Sequence, residues 1–138
     1  MEKLGYHHHI LTMEDLIAAF NQTKQLLVEQ VRDLLGQRIK NRAIEFPAVE
    51  WISWKQYTPY WCDGDQCSFS VNSWSLCVNG ESYDDYPTDS QEYQFGEIVV
   101  NMIDAIPEEI MEMAFGDNVE VVITRDGVVK FNEYSDHD

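Results

Sequence analysis

The sequence predicts an α+β fold: a long N-terminal amphipathic helix packed on a mainly antiparallel sheet, two short helices and a C-terminal β-hairpin. Three observations predict it. Apolar residues recur at helical spacing from Met13 to Lys40, alternating apolar runs fill much of residues 48 to 78, and an Asp-Gly turn joins two β-branched runs near the end. Strands grouped apart from helices indicate α+β rather than a parallel, doubly wound sheet. The whole chain, residues 1–138, fits one domain with enough residues to bury a core.

The elements follow in order. Thr12 suits the N-cap of the long helix, and Asp15 three residues on completes a variant of the capping box. Glu14 and Asp15 suit the positive end of the helix dipole, and Arg38, Lys40 and Arg42 the negative end. Phe20, Leu27, Val31 and Leu34 mark an apolar stripe flanked by Leu16 and Leu35. Gly36 lowers helix stability by about 1 kcal/mol against alanine, which suggests a kink or an early end. At 1.5 Å per residue the helix would span about 40 Å, more than so small a body can cover. The segment 1–42 is therefore expected to project or to pair with a second copy, beside an acidic, sheet-containing body at 43–138.

Pro47 ends the helical pattern. "AVEWISWKQYTPY" carries bulky apolar groups on both faces, as a central strand would. "CSFSV" and "WSLCV" alternate as two more strands, with a phase slip across Asn72-Ser73 that implies a bulge or turn. Asn79-Gly80 is a turn. Residues 81–94, "ESYDDYPTDSQEYQ", read as an exposed loop with five carboxylates and three tyrosines. "GEIVVNMIDAI" and "PEEIMEMAF" read as short helices, with Pro107 at a first helical position and Gly116 as a C-terminal cap. "NVEVVIT" and "VVKFNEY", joined through Arg125-Asp126-Gly127, form the hairpin.

Charge separates function classes. The formal net charge is −16, but residues 1–42 carry six Lys or Arg against five Asp or Glu, whereas residues 43–138 carry three against twenty. A surface of that sign repels nucleic acid and anionic membranes and attracts cations or basic protein surfaces. Direct nucleic-acid binding is thus the first class to fall. No apolar run approaches a membrane span and no secretory pattern is visible, so a cytoplasmic setting is expected.

The densest chemistry lies in "QYTPYWCDGDQCSF" (56–69). Cys62 and Cys67, with four residues between them, have a spacing that can clip zinc, and Cys77 with His7, His8, His9 or His137 could complete a tetrahedron. Structural zinc usually shows two paired clips and only one is present, so no cofactor is expected and zinc stands as the alternative. Three cysteines without a signal peptide favour reduced thiols. Asp63-Gly64-Asp65 resembles the start of a calcium loop, but the twelfth position is Trp74 where a glutamate is needed. An Asp-Gly turn accounts for the same letters. No nucleophile elbow, phosphate-binding loop or dinucleotide fingerprint occurs, and nothing argues for an enzyme.

Carboxylates held on a stiff scaffold can mimic the charge spacing of a phosphate backbone. The residues expected to contact a basic partner are Asp63, Asp65, Glu81, Tyr83, Asp84, Asp85, Tyr86, Asp89, Glu92, Glu108, Glu109 and Glu112, with the tyrosines supplying fixed aromatic contacts.

"WKQYTPYWCDGDQCSFSV" and the C-terminal "FGDNVEVVITRDGVVKFNEY" together resemble small acidic proteins of unassigned function in phages and bacteria. The similarity covers about 38 residues. It implies a phage or prophage setting and, by analogy alone, an inhibitor of a host nucleic-acid or defence enzyme. The expected function is that of a non-enzymatic acidic binding protein. The alternatives are a small zinc protein and an assembly protein forming a homodimer through the long helix.

Overall fold

In a computed structural model describing residues 12–59, 62–64 and 66–134, Thr12 opens helix α1 (Met13–Ala43) with a reciprocal cap. Its Oγ1 accepts the Asp15 N–H at 3.0 Å, and the Asp15 carboxylate accepts the Thr12 N–H at 3.1 Å. This satisfies two of the donors that a helix start leaves free. His7, His8, His9, Asp65 and His137 lie outside the described residues.

Helix α1 meets the body through Val28, Leu35, Ile39 and Ala43. The stripe expected from its sequence is largely in solvent, with Phe20 65% and Leu34 62% exposed. Two apolar faces compete on this helix. The body takes the face spaced at 28, 35, 39 and 43, and residues 13–27 before it are all exposed to some degree.

Gly36 does not end the helix, which continues to Ala43. It is buried against the hairpin turn, where a Cβ would lie 2.6 Å from the Gly127 carbonyl oxygen. Its lack of a side chain is a packing requirement, which helical propensity alone does not reveal.

Strand β1 (Trp51–Tyr57) is central, as its two apolar faces predict. It pairs antiparallel with β2 (Ser70–Val71), β3 (Cys77–Val78) and β5 (Val119–Thr124). With β4 (Glu81–Ser82) and β6 (Val129–Glu133) the sheet runs β4-β3-β1-β5-β6, and β2 joins β1 off that path. The register sets Ile52 beside Ile123 and Trp54 beside Val121 on the inner face. Ser53, Lys55 and Glu120 alternate onto the outer face. Residues 67–69 form no strand, and a 3-10 turn (Ser73–Ser75) interrupts the next run. Only dipeptide strands survive there, because the predicted phase slip is a full turn.

Helices α2 (Gln91–Asp104) and α3 (Glu108–Phe115) join α1 on the inner face, bringing Phe95, Val99, Met111 and Phe115 into one core with Ile39, Ile52, Trp54 and Ile123. Gly116 ends α3 at φ 98°. In the core, Gln56 is fully buried: its Oε1 accepts the Trp54 indole N–H at 2.9 Å, and its Nε2 donates to the Met111 and Gly116 carbonyls at 3.0 and 2.8 Å. Arg125 ties the hairpin to the end of α1. Its guanidinium donates to the carbonyl of Ala43 at 2.8 Å and to that of Val49, with longer bonds to Phe46 and Pro47.

The cysteines depart from expectation. Cys62 and Cys67 form a disulfide, with sulfurs 2.06 Å apart, and only Cys77 is a free thiol. The composition argument concerned compartment and could not register that the turn at Asp63-Gly64 brings these two Cα atoms to 5.5 Å.

Candidate functional site

From residue 56 to residue 124 the chain contains fourteen Asp or Glu and no Lys or Arg. Among the described residues one ion pair is present, Arg42 to Glu45 at 3.4 Å. The described carboxylates of this stretch make no ion pair with a described cation, and their local fields add.

The tightest gathering is built by the Asn79-Gly80 turn. Asn79 at φ 53° and Gly80 at φ 94° reverse the chain between β3 and β4. The Asn79 side chain accepts from the Glu50 N–H and donates to the Ala48 carbonyl, each at 2.8 Å, which anchors the turn to the start of β1. A 3-10 turn (Tyr83–Asp85) follows and packs on α2 at Gly96, where a Cβ would lie 2.5 Å from the Tyr83 Cβ. Any side chain at position 96 would drive this turn off the helix.

The expected loop at 81–94 is thus largely structured, since Ser90 caps α2 by accepting the Tyr93 N–H at 3.1 Å. Tyr83 and Tyr86 lie partly buried against the core. The Tyr83 hydroxyl donates to Glu97 at 2.8 Å, its ring stands 5.6 Å from that of Tyr93, and the Tyr86 hydroxyl donates to the Val78 carbonyl at 2.7 Å. These rings hold the scaffold. The exposed groups above them are Glu81, Asp84, Asp85 and Glu97.

The electrostatics identify which acids act together. The Tyr83 phenol is pushed up to about 12, first by its hydrogen bond to the Glu97 carboxylate, then by burial and by the charge of Glu97, the neighbouring Tyr93 and Asp84. Burial, then Glu81 and Glu92, push Tyr86 up as well. Glu81, Asp84, Glu92 and Glu97 therefore project one negative field across the turn and the first turns of α2. Burial above all holds the Cys77 thiol above its ordinary value, opposed by Lys55 and reinforced by Glu120 and, least, by Asp85.

A folded-state value above the unfolded one for a group that ionises to an anion means that stability is present at lower pH and is lost as pH rises. Unfolding at increasing pH is thus expected to show a stability loss between pH 10 and about 12 assignable to Tyr83. In Glu97→Gln, ultraviolet titration should move that phenol back toward 10. An unchanged titration would contradict the hydrogen bond.

Other predicted contact residues stand apart. Glu108, Glu109 and Glu112 are exposed on α3, where Glu108 accepts the Val71 N–H at 3.0 Å. Asp63 is exposed in the Asp63-Gly64 turn at φ 42°, and Asp89 is exposed just before the Ser90 cap. Asp104 and Asp117 accept hydrogen bonds from Ser73 and Thr58. Glu97 was not foreseen. The hydrogen bond that engages it comes from Tyr83, fourteen residues away, a separation that no local spacing rule reads.

Among the described residues the cysteines do not assemble a zinc site. A disulfide leaves Cys62 and Cys67 with no thiolate to donate, and Cys77 sits in β3. Among the described residues no three potential ligands converge. A groove of about 610 Å³ between α1 and the β5–β6 hairpin is lined by Arg32, Lys40, Asp33 and Asp126, so its charges balance. Among the described residues no helix is long and apolar enough to cross a membrane. Set against known protein families, curated proteins and solved structures, the chain matches none of them.

Proposed function

We propose that the protein is a non-enzymatic acidic binding module whose face around Glu81, Asp84, Asp85, Glu92 and Glu97 engages a basic protein surface. The partner is of the kind that handles nucleic acid, and a phage-encoded inhibitor or nucleic-acid mimic aimed at such a host or defence enzyme fits this chemistry. One observation carries the reading: residues 56–124 hold fourteen carboxylates and no cation, and five of them, Glu81, Asp84, Asp85, Glu92 and Glu97, sit on or beside a turn locked to a helix by the Tyr83–Gly96 contact. Fixed charges keep their spacing and need no ordering on contact, which is what a surface shaped for a phosphate backbone selects. The reading places the protein in the cytoplasm, the host's where a phage encodes it. Oxidising compartments preserve disulfides such as Cys62–Cys67, so mass analysis after alkylating lysis reports its state there.

The test is capture from host lysate on immobilised protein, followed by affinity measurement on what is retained. A basic protein should be held, be displaced by duplex DNA, and bind at least about tenfold more weakly in high salt. Asp84→Asn/Asp85→Asn/Glu92→Gln/Glu97→Gln should weaken it by a further tenfold or more. Capture that ignores both salt and these substitutions would sink the proposal.

A further inference from the structure

We infer that two copies of this chain pair through their projecting helices, antiparallel, each arm lying along its partner and reaching the root of the partner's helix. The argument begins with exposure. Residues 13–27 of α1 are all exposed, and Met13, Leu16, Ile17 and Phe20 among them are about half exposed or more, as is Leu34 beyond. A helical segment this short is marginal in water unless a face of it is covered.

The exposed residues carry a register. Met13, Phe20, Leu27 and Leu34 recur every seven residues, with Ile17, Lys24 and Val31 between them at the complementary heptad position; Leu16 and Leu26 lie off these two positions. Run antiparallel, the stripe complements itself. Ile17 of one copy meets Leu34 of the other, Phe20 meets Val31, and Lys24 meets Leu27, with the same contacts repeated across a two-fold axis.

The receiving end is already shaped. At the root of α1 an apolar groove of about 360 Å³ is lined by Val31, Leu34, Ala105, Ile106, Pro107 and Ile110, continuous with the stripe. The antiparallel register brings the partner's Met13 and Ile17 to this groove.

Charge selects the occupant and the direction. Residues 13–43 carry five Lys or Arg against four Asp or Glu, so the arm is the one long segment where two copies of a −16 chain can meet without strong repulsion. A strongly basic partner has no counter-charge to find here. In the antiparallel pair the acidic first turn, Glu14 and Asp15, approaches the partner's Arg38 and Lys40. The two acidic bodies then attach at opposite ends of the paired helices, whose seam runs about 25 Å from residue 17 to residue 34. A parallel pair would set Glu14 against Glu14, Lys24 against Lys24, and the acidic bodies side by side.

Sedimentation equilibrium on the full chain tests the pairing. A mass of about 32 kDa is expected, twice the 16.1 kDa of one chain. Phe20→Glu, which places a carboxylate in the seam, should weaken association by at least about a hundredfold while near-ultraviolet circular dichroism of the body is kept. Direction is read by a short bis-maleimide linker in a Cys77→Ser background. Ile17→Cys/Leu34→Cys should cross-link into covalent dimers, and Ile17→Cys alone should not. A monomer at every concentration overturns the pairing, and efficient cross-linking of Ile17→Cys alone overturns its direction.

Discussion

Gln56→Met is expected to lower the unfolding free energy by about 4 kcal/mol, a large share of the roughly 5–15 kcal/mol that holds a domain together. The substitution nearly preserves shape and volume, so cavity formation contributes little. What is lost is a hub. The Gln56 Oε1 is the acceptor for the Trp54 indole, and its Nε2 serves two carbonyls, Met111 and Gly116, at opposite ends of one turn of α3. Depriving two buried groups and one part-buried carbonyl of this partner costs about 1–3 kcal/mol for each buried group and less for the third, partly recovered by relaxation. Urea unfolding followed by tryptophan fluorescence measures it, with Trp54 itself a reporter. A loss below about 1 kcal/mol would show that α3 is not tied to β1 in this way.

Gly36→Ala is expected to destabilise the protein by about 2 kcal/mol, although the same change would stabilise an isolated helix by about 1 kcal/mol. The sign reverses because the new Cβ would stand 2.6 Å from the Gly127 carbonyl, a backbone atom that moves only with the hairpin. Gly127 is constrained reciprocally. It holds φ 84°, and a Cβ there would lie 2.8 Å from the Gly36 carbonyl. Thermal unfolding of Gly36→Ala, Gly127→Ala and the double variant should give energies that do not add, since either substitution alone separates helix from turn. A neutral or stabilised Gly36→Ala would contradict the close approach.

Both residues were poorly legible beforehand, for different reasons. Gln56 sits within "WISWKQY", where period-two alternation places it inward with Ile52 and Trp54, but a polar residue reads as exposed until its partners are known. Those partners lie 55 and 60 residues away. Gly36 read as a weakness in a helix, because propensity describes a helix in water and carries no term for a neighbouring turn. The cysteines failed for a related reason: pairing depends on the distance between Cα atoms, which the turn at Asp63-Gly64 sets.

Local chemistry, by contrast, was written in the letters. The Thr12–Asp15 cap, the Gly116 stop, the Asp126-Gly127 hairpin and the central place of β1 each depend on a few adjacent residues whose preferred dihedrals or alternation leave little choice. The charge asymmetry between the arm and the body was equally plain, because a sum over residues needs no geometry. Which carboxylates share a field was decided only when Tyr83 settled on Gly96 and carried Asp84 and Asp85 to the flank of α2. So was the choice of which face of α1 turns inward. Two apolar stripes on one helix are equivalent until the rest of the chain packs against one of them, since burial is a property of neighbours and not of the residue buried.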